Sequence, residues 1–130
     1  KEDYNPQAGL FAQGTREMYR LLKLVGGKEE SILYGVGDLY VTIFGGRTRK
    51  IGTLLGRGLT YTQALKELSG ITLESVAITN VAFNALMKLS ERGKADINHF
   101  PLLSHIYDLI NDKTTVNIPW HLFEENGTLK

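Results

Sequence analysis

No cysteine occurs among the 130 residues. Disulfides, a thiol nucleophile and thiolate zinc sites are therefore excluded. A reducing, cytoplasmic location fits that composition. Neither sign of charge is in clear excess, since 15 Lys and Arg stand against 14 Asp and Glu. Nucleic-acid binders carry a marked basic surplus, so no nucleic-acid partner is expected. No apolar run approaches the roughly 20 residues of a membrane-spanning helix. Internal repeats, low-complexity tracts and long linkers are missing as well. A chain of this length suits one domain with a real apolar core. It starts at Lys1 without methionine, and KEDYNPQ is polar and turn-like. The expectation is a segment of a longer protein, with part of any active site elsewhere.

The pattern that is present is helical. Asn5-Pro6 reads as an N-cap followed by a first helical position. Phe11, Met18, Leu21, Leu22 and Val25 then share a face, and Gly26-Gly27 stops the helix. A short helical segment is expected from Lys28 to Tyr34. Arg47 to Leu55 reads as a helix closed by Gly56 and Gly58. Thr60 and Gln63 form a capping box for a short helix ending near Ser69-Gly70. Thr72 is expected to cap a long helix with Ile78, Val81, Ala82, Ala85, Leu86 and Leu89 on one face. Val76, Phe83 and Met87 lie on a second face. A helix apolar on two faces is expected at the buried centre of a bundle. Pro101 starts another helix carrying Leu103, Ile106, Tyr107 and Ile110. A last turn or helix is expected near Trp120, before a polar tail. The fold class is all-α, with about six to eight helices. One stretch resists that reading: LYVTIF is β-branched and aromatic, and propensity alone makes it a strand.

Chemistry gathers in GVGDLYVTIFGGRTRKIG, from Gly35 to Gly52. Gly45-Gly46 precede a helix whose first amides carry partial positive charge, a ready site for an anion. Arg47 could hold a phosphate in two places at once, and Thr48 could add a hydroxyl. The competing reading is a solvated basic turn, although cations at a helix N-terminus oppose the dipole. If the preceding segment is helical, Asp38 and Thr42 stand one turn apart and share a face. They could line a pocket, or Asp38 could be an ordinary helix acid. Glu74, in a first helical turn, complements the dipole in the plain reading. Asn80 and Asn84 read as hydrogen-bonding groups within the bundle. His99, His105 and His121 fall in no metal-ligand spacing and read as surface or cap residues, so no metal site is expected. Gly35-Val36-Gly37 is too short for a dinucleotide fingerprint. No nucleophile–base pair and no general acid stands out.

The run GVGDLYVTIFGGRTRK resembles the C-terminal signature of NAD-dependent glycerol-3-phosphate dehydrogenases, which reads GLADLxxTxxGGRNRK in some members. NPQAGLFAQGTREM is similar to the family helix that begins NTKAAL and continues to a Glu-Met pair. LESVAITNVAF is similar to VEGVxTAxAVY, and PLLSHIYDLI to PIxxAVYxIL. The matches run in order over most of residues 4 to 112.

The resemblance implies a two-domain oxidoreductase of glycerol-3-phosphate and carbohydrate metabolism and of phospholipid biosynthesis. A Rossmann domain would bind NAD or NADP, and this all-α domain would close over it. The implied fold resembles the 6-phosphogluconate dehydrogenase C-terminal domain-like bundle, with the DLYVT stretch helical. The implied reaction exchanges a hydride between the cofactor and carbon 2 of dihydroxyacetone phosphate or sn-glycerol 3-phosphate. Carried over by position, Asp38 supports catalysis. Asp38, Thr42, Arg47 and Thr48 bind substrate. Arg47 and Glu74 reach the cofactor.

Two departures stand out. Gln7 replaces a basic residue of the family motif, and Thr48 replaces its asparagine. The implied catalytic lysine lies upstream of this segment, so the segment is expected to be inert alone. Its partners would be a phosphorylated triose, its own Rossmann domain and, through exposed apolar surface, a second copy. The alternative is a non-catalytic helical binding domain that kept the fold.

Overall fold

The computed structural model describes residues 4–42, 47–68 and 74–127. These residues form helices and connecting turns, with no strand among them. The helices are α1 (Tyr4–Leu24), α2 (Ile32–Thr42), α3 (Arg47–Gly56), α4 (Tyr61–Glu67), α5 (Glu74–Glu91), α6 (Pro101–Ile110) and α7 (Trp120–Gly127). Short 3-10 turns at Glu29–Ser31 and Ile97–His99 lead into α2 and α6.

The helix ends follow local chemistry. α1 starts at Tyr4, so Asn5 stands inside the helix and not at its N-cap. At the other end Gly27 N donates to Leu22 O and Gly26 N to Lys23 O, with Gly26 at φ 73°. That pair of bonds is a Schellman stop, and the left-handed residue is the glycine that tolerates it. The same pair closes α5 at Gly93 and α6 at Asp112, whose φ of 57° is the exception to glycine. The capping box on α4 forms in full: Gln63 N donates to Thr60 Oγ1, and Thr60 N donates to Gln63 Oε1. Thr72 lies outside the described residues.

The ambiguous stretch is helical as far as Thr42, while Ile43 and Phe44 lie outside the described residues. The segment expected to end at Tyr34 runs unbroken through Gly35-Val36-Gly37 into that helix. α2 packs along α1, and Gly35 sits where a Cβ would lie 3.4 Å from the Met18 sulfur. The helix α2 thus includes residues whose isolated preference is for strand, and such preferences yield to context.

The centre of the bundle is α6, not α5. α6 packs against α1, α4 and α5, and it buries Pro101, His105 and Leu109. α5 buries Leu86, stacks Phe83 on Tyr107 with ring centroids 3.9 Å apart, and joins Asn80 to Asn111 at 3.0 Å. The stripe expected to hold Leu86 together with Ile78 and Val81 is therefore split, for the last two are 67% and 71% exposed. The expectation of a buried α5 is thus overturned. Among the described residues, neighbours cover the side of Val76 and Phe83 as far round as Leu86 and leave the Ile78–Val81 side open. Asn84 is exposed rather than placed in a polar seam.

A second apolar cluster joins α3 and α4 through Ile51, Leu55, Tyr61 and Ala64. Val76 of α5 and Ile110 of α6 pack against it. α7 packs on the start of α1, where the Trp120 ring lies 3.0 Å from the place a Gly9 Cβ would occupy.

Candidate functional site

The sequence candidates occupy three helix ends. Asp38 and Thr42 lie one turn apart in the second half of α2. Arg47 and Thr48 are the first two residues of α3. Glu74 is the first residue of α5. The side chains of all five, and of Gln7, lie outside the described residues. Backbone placement bounds their separation. Four residues link Thr42 to Arg47, a span of about 17 Å at most when fully extended. Asp38 stands about 6 Å further back along α2.

The start of α3 is held from behind. One turn in, Ile51 is 4% exposed, and Leu55 follows on the same face against α4. That buried stripe fixes the direction in which the first amides of α3 point. Val76 packs on the same cluster, which brings the first turn of α5, and with it the Glu74 position, to the α3–α4 unit. The expected anion site at the head of α3 thus rests on a packed base. Among the described residues no group of three or more His, Asp or Glu is placed to hold a metal.

Sequence reasoning assigned no role to one buried carboxylate. Glu17 of α1 is 4% exposed. It accepts from Gln13 Nε2 at 2.7 Å, Leu102 N at 2.8 Å and Leu103 N at 2.9 Å. The last two are orphan amides at the start of α6, which an acid in the right place can satisfy. Gln13 is fully buried and also accepts from Arg16. Burial pushes the Glu17 carboxyl above its ordinary range, against the opposing pull of these bonds and of Arg20. No local signal marked them, since Gln13 and Glu17 stand one turn apart on a side of α1 turned away from the stripe of Phe11, Met18 and Leu22.

Asp112 does the same for α4. Its carboxylate accepts from Thr62 N at 3.0 Å and from the Thr62 hydroxyl. Those two bonds, the hydroxyl first, hold its carboxyl below the ordinary carboxylate value. His105 corrects a further expectation. It is buried, and its Nε2 accepts from Asn117 N at 3.2 Å. Burial lowers its pKa, with Asp108 opposing. It is neither a surface nor a cap residue but ties α6 to the segment leading to α7. His99 and His121 are exposed, as expected.

Comparison with known proteins matches residues 2–120 to the family described as NAD-dependent glycerol-3-phosphate dehydrogenase C-terminus. A glycerol-3-phosphate dehydrogenase (NAD(P)+) of Stenotrophomonas maltophilia (strain K279a) is 43% identical over 76 residues, covering 55% of this chain and 22% of the relative. Those of Xanthomonas campestris pv. campestris (strain B100) and Xylella fastidiosa (strain M23) are 41% identical with the same coverage. The matched segment thus spans about a fifth of the length of these relatives. No solved structure matches significantly. The chain belongs to the family of NAD-dependent glycerol-3-phosphate dehydrogenase C-terminal domains.

Proposed function

We propose that this chain is the substrate domain of a cytoplasmic enzyme that interconverts sn-glycerol 3-phosphate and dihydroxyacetone phosphate. The observation that carries the reading is the family match over residues 2–120, which includes the whole Asp38–Arg47 stretch. The reaction centre is shared with a cofactor-binding domain elsewhere in the protein, and the segment is inert alone.

The roles follow from placement and chemistry. Arg47, with the free amides of the ten-residue α3, receives the substrate phosphate. Thr48 adds a hydroxyl. Asp38 and Thr42, one turn apart on α2, hold the hydroxyl end of the triose and orient carbon 2. A guanidinium at the head of a helix also suits a pyrophosphate, so Arg47 meets the cofactor, and so does Glu74 at the head of α5. NAD or NADP supplies or takes the hydride. The chain's own groups bind, orient and exclude water.

The uncovered Ile78 and Val81 of α5 support self-association of this domain. A non-catalytic binding module is the second reading. It is favoured by Gln7, which stands where the family motif carries a basic residue.

Steady-state kinetics on the enzyme that joins this segment to its cofactor domain test the proposal. Arg47→Ala lowers kcat/KM by at least about tenfold, near 1.4 kcal/mol. Wild-type turnover with unchanged kinetics in the variant overturns the assignment of Arg47. No turnover in the wild-type enzyme favours the binding module.

A further inference from the structure

A cleft of about 490 Å³ opens at the far end of α1, between its last turns and the turn that joins α5 to α6. Its size is that of a small-ligand pocket. Arg20 and Lys23 of α1 and Lys94 of the turn line it, with Asp96 and His99. Three fixed cations therefore face one carboxylate, in a chain whose overall charge is only +1.

The single acid is already engaged. Asp96 accepts from Asn98 N at 2.9 Å and lies 3.7 Å from His99 Nε2. Arg20 donates through Nη1 to the His99 carbonyl at 2.6 Å, which fixes its guanidinium across the cleft wall. Leu24 and the buried Phe100 give the cleft an apolar side. Low-dielectric walls strengthen the field of the cations they carry. The Gly93 stop places Lys94 at this mouth, where a helical residue would continue α5.

We infer that this cleft binds a phosphorylated small molecule, its phosphate between Lys23, Lys94 and Arg20 and its carbon skeleton against Leu24 and Phe100. None of these residues belongs to the Asp38–Arg47 stretch, and the inference stands whether or not the proposed function holds.

Two-dimensional amide NMR of the 130-residue chain tests it, with inorganic pyrophosphate and sn-glycerol 3-phosphate as probes. Saturable shifts are expected at Arg20, Lys23 and Gly93 to His99, and they weaken as salt rises. Lys23→Glu with Lys94→Glu weakens binding at least tenfold, while Lys113→Glu, outside the cleft, leaves it within twofold. Both cleft lysines are exposed, and an unchanged thermal midpoint shows that the variant is folded. Shifts that never saturate, or an equal loss in Lys113→Glu, overturn the inference. Shifts confined to residues 38 to 48 also overturn it while supporting the proposed substrate site. Silence at 38 to 48 with saturation at the cleft does the reverse.

Discussion

Glu17 of α1 and Leu103 of α6 are joined by a carboxylate–amide bond of 2.9 Å, across 86 positions of sequence. The same carboxylate takes Leu102 N. An acid on one helix therefore caps another helix and ties α1 to the central element. Glu17→Ala leaves the Gln13 amide and two α6 amides without their acceptor, a loss of roughly 2–3 kcal/mol. Urea unfolding measures it. A variant within 0.5 kcal/mol, the range of an ordinary surface change, would show that water replaces the bonds without cost.

Two carboxylates give opposite pH dependences. Asp112 is held below its ordinary value of 3.8 by Thr62. The unfolded chain binds its proton first as pH falls. The stabilisation is therefore present above 3.8 and is lost as pH falls through the lower, folded-state value. Glu17 is raised above 4.5 by burial. The folded chain then binds its proton first, so stability declines as pH rises from 4.5 through the folded-state value. Denaturation curves across this range should show the acid-side loss shrinking in Asp112→Asn and the decline vanishing in Glu17→Gln. Parallel curves for parent and variants would contradict both assignments.

Asp112 also bears a left-handed backbone. Asp112→Gly relaxes that conformation while losing the Thr62 bonds, whereas Asp112→Ala loses the bonds and keeps the strain. The alanine variant should be the less stable by roughly 1 kcal/mol. Equal thermal midpoints would mean that the backbone shifts to a different turn.

The two faces of α5 should respond differently. Leu86 is 2% exposed, and Leu86→Ala should cost about 2–4 kcal/mol. Ile78→Ser and Val81→Ser together should leave stability within about 1 kcal/mol and reduce self-association in sedimentation velocity. A large stability loss in the double variant would mean that the face is covered within the chain.

Much of this was legible from the residues themselves. The Thr60–Gln63 box, the glycine stops and Pro101 are local signals, and each acts where the sequence shows it. The DLYVT helix was not legible from propensity, since its β-branched and aromatic residues favour a strand when taken alone. Its helicity followed from the family resemblance. Periodicity detected both apolar faces of α5 but could not say which neighbour covers them. Glu17 went unassigned, and His105 was read as a surface or cap residue, because their partners are set by the fold, at Leu102 and Leu103 on α6 and at Asn117 ahead of α7. The anion site expected at the head of α3 rests on the sequence pattern Gly45-Gly46-Arg47 and on the family resemblance, and it stays a proposal. The cleft at Arg20 was not, since its cations come from two separated segments.

The proposed role of Arg47 is to receive a phosphate, and substrate discrimination tests it most directly. In the complete enzyme, kcat/KM for dihydroxyacetone phosphate is compared with that for unphosphorylated dihydroxyacetone. Arg47→Ala should lower that ratio at least about tenfold, because loss of its cofactor contact lowers turnover of both compounds alike and leaves the ratio to report the substrate phosphate. A variant that loses activity equally toward both compounds, or toward neither, contradicts the account.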